Sequence, residues 1–316
     1  MRLGFGEAVG GLILLAFATN LPEIAIVVSA AASAHLGIAI GNILGGIAIQ
    51  TVVLALMDAF GVRGVPLTYR AASLVLALEG VLVIGVLVIV VMGTRMSASV
   101  IYARVTPAEI GIVLAWGVGL WLIGRARTGL PWHEDGNPPD GQDKPRGHAQ
   151  THREQSMGMS TRAAALLFAA AAVVTLAGGV ALERSGEAIA GRIGMSGVLF
   201  GATVLAAATA LPEVSTGLRS VKIGDYQLAV SDIFGGNAFL PVLFLLASLI
   251  SGKAVLPEAQ DSDVYLTALA ILLTTVYIWG LLFRPKRQFF RLGPDSILVV
   301  CLYVLGIAGL VAVTHG

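Results

Sequence analysis

Two glutamates stand in matching decapeptides 190 residues apart, Glu23 in AFATNLPEIA and Glu213 in AAATALPEVS. Both decapeptides lie inside apolar stretches. Pro22 has no N–H, and its ring crowds the carbonyl of Ala18, so the helix is expected to kink and free backbone oxygens. In lipid such oxygens persist only when buried in protein or lining a polar cavity. Ala16, Thr19 and Glu23 fall at i, i+3 and i+7, on one helical face. That face offers carbonyl oxygens, a hydroxyl and a carboxylate, and Ala206, Thr209 and Glu213 offer the same set again. An all-oxygen cage with two carboxylates suits a hard cation such as Ca2+, whose charge the two acids balance. No His or Cys joins it, which argues against zinc or copper. The competing reading makes each acid structural, paired with an Arg or a backbone donor. A charge at mid-membrane costs roughly 2.5–3.5 kcal/mol, and neither helix core holds a Lys or Arg to offset it. The placement also occurs twice, so ion binding is the preferred reading.

The segment after each motif reads GNILGGIAIQ (41–50) and SDIFGGNAFL (231–240). Its small residues permit close helix approach. Asn42, Gly46 and Gln50 form one stripe, and Asp232, Gly236 and Leu240 its counterpart. Asp232 is two turns, roughly 12 Å, from Leu240. Asn42, Asp232 and Asn237 are therefore expected to line an access path, while Gln50 and Asn20 add oxygen to the cage.

These residues must be held by membrane helices. Of 316 residues, 56% are hydrophobic and 12% charged, with mean hydropathy +0.86. Soluble domains carry about 25% charged residues, so the chain is expected to be an all-α polytopic membrane protein. A net charge of +1 gives no reason to expect nucleic acid as a partner, no protein partner is signalled, and no cofactor is expected. The lipid bilayer and inorganic cations remain as partners. Cys301 is the only cysteine, which rules out an internal disulfide. Arg2, an apolar run and Ala16-Phe17-Ala18 imitate a secretory signal, but the same segment recurs near Glu213, where nothing is cleaved.

Nine helices are expected, over about 4–32, 36–57, 70–93, 107–124, 161–182, 196–218, 226–250, 263–283 and 295–313. They divide into a four-helix half (1–124), a polar, Pro- and Gly-rich flexible linker (125–160) and a five-helix half (161–316). His133, His148 and His152 in the linker follow no metal-ligand spacing. If the spans alternate, the basic residues divide fifteen against five in favour of the linker side. That side is then cytoplasmic and the C-terminus outside, in a cell (inner) membrane. Residues 3–50 align with 193–240 without a gap. On this map the two copies enter from opposite sides, as in secondary transporters with a midplane site between inverted repeats.

The paired motifs resemble the calcium/cation antiporter superfamily, specifically the sodium/calcium exchanger membrane domain. Its signatures look like G-T-S-L-P-E followed by G-N-x-x-G-S-N-I. Here they read Ala18-Thr19-Asn20-Leu21-Pro22-Glu23 with Gly41 to Ala48, and Ala208-Thr209-Ala210-Leu211-Pro212-Glu213 with Ser231 to Ala238. The resemblance implies a ten-helix fold in two inverted halves, here expected without its first helix. It also implies Glu23 and Glu213 as shared ligands, with Thr19, Thr209 and the carbonyls of Ala16 and Ala206 flanking them. Family serines are replaced by Asn20, Ala210, Gly46 and Gly236, and a family acid by Leu240. The Ca2+ core is thus kept while the sodium positions are depleted. The expected function is secondary antiport of Ca2+ against H+ or Na+ by alternating access. A transport-dead relative and, more remotely, an intramembrane enzyme using Glu213 and Asp232 are the alternatives. Glu79, alone in mid-span, is read as a proton relay or as a carboxylate reaching the nearby surface.

Overall fold

A computed structural model describes residues 19–71, 73–127, 129–130, 161–194 and 197–315. Ala16, Arg2, the linker histidines and nearly all of the 125–160 segment lie outside the described residues. The described chain is helical. Its only β-type pairings are the isolated bridges Tyr102–Val105 and Phe289–Leu292 at two turns.

Both motifs break their helices at the same place. Thr19 is helical, Asn20 adopts a turn conformation (φ −85°, ψ 11°), and α1 runs over Leu21–Ala32. In the second copy, Gly197–Phe200, a π-helical turn Gly201–Leu205 and Ala206–Thr209 run on as α7. Ala210 then turns (φ −78°, ψ −2°), and α8 covers Leu211–Lys222. Where a kink inside a continuous helix was expected, a new helix starts one residue before each proline. The reason is local: a first-turn N–H has no intrahelical acceptor, so proline loses nothing there. The restart also puts Glu23 and Glu213 in the first turns of α1 and α8. There the partial positive charge of the helix N-terminus favours a carboxylate.

The remaining elements are α2 (Leu36–Gly61), the short α3 (Leu67–Ala71), α4 (Leu74–Thr94), α5 (Pro107–Ala126), α6 (Thr161–Ile193), α9 (Tyr226–Ser251, with a 3-10 turn at Leu240–Val242), α10 (Asp261–Phe283) and α11 (Pro294–His315). The expected 70–93 span is split, because Ser73 caps α4 by accepting the Val75 N–H at 3.2 Å. The expected 161–182 helix runs on to Ile193. Thr106 and Glu109 close a reciprocal capping box that starts α5 at Pro107. Among the described residues, six helices are long and apolar enough to cross a membrane: α2, α4, α5, α9, α10 and α11. Phe283, Met92, Leu114, Trp121 and Leu305 face outward from them, as a lipid-facing surface requires.

The most enclosed of these spans is α2, which packs against α1, α7, α8, α9, α10 and α11. Glycine allows its crossing with α7. A Cβ on Gly201 would lie 3.0 Å from the Ile38 carbonyl oxygen, and one on Gly45 would lie 2.6 Å from that of Ala202. The backbones of α2 and α7 therefore touch, which draws the two motif segments to one depth. Gly45→Ala is expected to destabilise the purified protein by about 1–3 kcal/mol, since backbone cannot move aside as a side chain would. Gly117→Ala meets nothing within 4 Å and should be neutral or gain up to ~1 kcal/mol. Thermal midpoints in detergent check the contrast.

Candidate functional site

Glu23 is fully buried and Glu213 is 1% exposed, on helices from opposite ends of the sequence. One amide holds both: Gln50 Nε2 on α2 donates to Glu23 Oε1 at 3.2 Å and to Glu213 Oε1 at 3.4 Å. A single nitrogen within hydrogen-bond reach of both acids holds them at one place in the fold. The threonines cross over between the copies. Thr209 lies near Glu23, and Thr19 lies near Glu213. Each motif thus sets its threonine beside the other motif's acid.

Several buried oxygens at this point have no protein partner: Glu23 Oε2, Glu213 Oε2 and Gln50 Oε1. Leaving a buried carboxylate oxygen unpaired is costly, and two such oxygens, with an unpaired amide oxygen on the residue that bridges the two acids, suit a cationic ligand. Among the described residues, no three His, Cys, Asp or Glu side chains come together. The acidic contribution to the centre is therefore two carboxylates, and the other donors are neutral oxygens. That set fits Ca2+ and offers nothing to a soft metal.

The lining is unequal on its two sides. A Cβ on Gly236 would lie 3.0 Å from Asn20 Nδ2 and 3.6 Å from Gln50 Oε1, so this flank is polar. A Cβ on Gly46 would instead lie 3.5 Å from Leu240 Cδ1. Gly46 and Leu240 answer Gly236 and Gln50 in the repeat alignment, so equivalent contacts are polar in one half and apolar in the other. The Ala206 carbonyl accepts the Ala210 N–H at 3.0 Å and the Thr209 hydroxyl at 3.2 Å. It is thus engaged within its own segment, and Ala16 lies outside the described residues.

The three residues expected along an access path have different surroundings. Asp232 accepts the Thr216 hydroxyl through Oδ2 at 2.8 Å, one turn from Glu213, and its Oδ1 has no partner. Asn42 is fully buried, and neither of its amide atoms is paired. Asn237 donates to Thr51 Oγ1 at 3.1 Å and to the Ile47 carbonyl at 3.4 Å, stitching α9 to α2. Thr216 was not anticipated because Ile26 occupies the matching position in the first motif. Its spacing of i+3 from Glu213 was the available signal.

Glu79 is not alone, which corrects the sequence expectation. Arg127, just past α5, donates to Glu79 Oε1 at 2.7 Å and to Ser231 at 3.0 Å. The carboxylate is thereby neutralised inside the bundle, and α4, α5 and α9 are tied together. Arg127 reads in the sequence as one more linker charge, and its partner is 48 residues away.

With this geometry established, the chain can be compared with known proteins. The family model described as sodium/calcium exchanger protein matches residues 1–123 and 163–312. The inner membrane protein YrbG of Escherichia coli is 25% identical over 287 residues, covering 90% of this chain and 82% of that protein. The putative antiporter CaxA of Alkalimonas amylolytica is 27% identical over 290 residues, covering 90% and 84%. The crystal structure of the H+/Ca2+ exchanger CAX shares the fold, with a TM-score of 0.54 at 14% identity over 96% of this chain and 81% of that one.

The Arg127–Glu79 pair supplies a test of the correction. Arg127→Met leaves Glu79 buried without its partner and is expected to cost about 3–5 kcal/mol. Adding Glu79→Leu should restore most of that, because the uncompensated charge goes too. Unfolding midpoints of the two single variants and the double variant measure the coupling.

Proposed function

The chain belongs to the sodium/calcium exchanger protein family, a family of membrane transporters rather than enzymes, and from that premise we propose that it exchanges Ca2+ for H+ or Na+. The observation that carries the reading is the pair of buried glutamates sharing Gln50, with their remaining oxygens unpaired. The names of the similar CaxA and CAX proteins, an antiporter and an H+/Ca2+ exchanger, support it.

In this reading Ca2+ is the substrate. Glu23 and Glu213 each give it a carboxylate oxygen, and Gln50 turns to present its amide oxygen. Thr19 and Thr209 add hydroxyls, and the Ala206 carbonyl becomes available once Thr209 turns from it. Ala16 and Asn20 complete the proposed set. Charge balance then explains exchange. Two carboxylates and one Ca2+ make a neutral centre, whereas the same carboxylates without it leave two charges in a medium that cannot hydrate them. Two monovalent cations must replace each Ca2+ before the site can change sides. Ala210, Gly46, Gly236 and Leu240 supply no side-chain oxygen for sodium, so protons on the carboxylates are the preferred counter-ion and sodium the second choice.

The proposed architecture has two inverted halves joined by a cytoplasmic linker, with the C-terminus outside. Symmetric breaks at Asn20 and Ala210, together with the placement of each threonine near the other motif's acid, support the repeat. The basic residues support the sidedness. Asp232 and Asn42 are proposed to lie along the ion's route, and Asn237 beside it as a packing contact.

Uptake of 45Ca2+ into proteoliposomes tests this directly. Glu23→Gln or Glu213→Gln keeps the shape of the site and removes one charge. Each is expected to cut flux by about 100-fold or more, the equivalent of roughly 3 kcal/mol. Near-normal flux in either folded variant would contradict the site, and Ca2+ binding without any wild-type flux would select the transport-dead alternative. A second arm separates the counter-ions. An imposed pH gradient should drive Ca2+ better than an imposed Na+ gradient, and flux that follows Na+ and ignores pH would reverse the preference.

A further inference from the structure

A second pair of buried carboxylates meets where α2 ends and α11 begins, away from the transport centre. Asp58 is fully buried near the end of α2, and Asp295, 7% exposed, lies in the first turn of α11. They meet at Gly293, whose N–H donates to Asp58 Oδ2 and where a Cβ would run into Asp295 Oδ1. Buried hydroxyls surround them. Thr68 of α3 reaches toward Asp295, Ser296 reaches toward Asp58, and Tyr277 of α10 shares a 3.3 Å hydrogen bond with Ser296.

Asp58 has an evident structural duty. Its Oδ1 accepts the Leu67 N–H at 2.8 Å and the Gln288 amide at 3.3 Å, and its Oδ2 accepts the Gly293 N–H at 2.6 Å. Those bonds tie two loops to the end of α2. They do not account for Asp295, neither of whose oxygens has a well-formed partner, nor for the Thr68 hydroxyl beside it, which also lacks one. The ion pairs His35–Glu183 and Arg127–Glu79 lie elsewhere. A second negative charge facing a first, in a buried place already rich in hydroxyls, is a strange choice unless something positive sits between them.

We propose that Asp58, Asp295, Thr68, Ser296 and Tyr277 form a second, non-transported divalent-cation site of the Ca2+ type. The donors are all hard oxygens, two of the five residues are carboxylates, and they come from α2, α3, α10 and α11, so one ion would pin four elements together. The carboxylate of Asp58 is fixed by backbone N–H groups of two loops, which suits a resident ion rather than a passing one. Gln50 lies two turns back along α2, about 12 Å away. Occupancy of this corner therefore braces the helix that carries the amide of the transport centre.

Equilibrium 45Ca2+ binding to the purified full chain in detergent tests this without requiring transport. Glu23→Gln/Glu213→Gln should keep one Ca2+ per chain where the wild type binds two. Adding Asp295→Asn should weaken that remaining ion at least about tenfold. Thr68→Ala, which leaves both carboxylates in place, should weaken it by a smaller factor and guards against misfolding of the aspartate variant. Ca2+ should also raise the thermal midpoint of the Glu23→Gln/Glu213→Gln protein, and Asp295→Asn should abolish that rise. No Ca2+ bound by the Glu23→Gln/Glu213→Gln protein, or binding that ignores both Asp295→Asn and Thr68→Ala, overturns the proposal. One wild-type ion that disappears in Glu23→Gln/Glu213→Gln would overturn it alone and leave the transport reading standing.

Discussion

Two carboxylates buried together in a protein interior cannot both remain charged without compensation. Everything around Glu23 and Glu213 can be read as a response to that constraint. Each acid sits in the first turn of a helix, where the partial positive charge of the N-terminus favours it. Each has the opposite motif's threonine beside it, and both share the Gln50 amide. These groups soften the cost, yet one oxygen on each acid stays unpaired. What is missing is positive charge, and a transporter can draw it from its substrate and its counter-ion by turns.

The fold serves this arrangement through backbone geometry more than through side-chain packing. The prolines stop one helix and start another at the depth of the acids, which would be intolerable in lipid were the break not enclosed by α2. Glycines at 45 and 201 let α2 and α7 meet backbone to backbone. Larger residues there would separate the motifs and lengthen the reach from Gln50 to one acid or the other. The same helix ends near Asp58, so packing at that corner and the position of Gln50 are mechanically joined.

Much of this was legible in the amino-acid sequence, for identifiable reasons. Apolar runs this long with so few charges have few alternatives to membrane helices, and those of α2, α5, α9, α10 and α11 came within four residues of their observed ends. The motif acids were legible because the chain states them twice. What escaped was whatever depends on distant partners or on one half alone. The placement of Thr19 near Glu213 and of Thr209 near Glu23 cannot be seen by reading each motif by itself. Arg127 looked like a linker charge because its carboxylate lies across the bundle, and Thr216 was hidden by its mismatch with Ile26. The break one residue before Leu-Pro-Glu has a simpler cause: proline suits a helix's first turn better than its interior.

The central claim is that one cation is held between Glu23 and Glu213. Anomalous diffraction from crystals grown with Ca2+ would locate it most directly. The account predicts a peak between the two carboxylates, within about 2.3–2.6 Å of an oxygen from each, with Gln50 turned to present its amide oxygen. A peak bound to only one of the two glutamates, or an undisturbed Gln50 bridge with no peak there under saturating Ca2+, would contradict it.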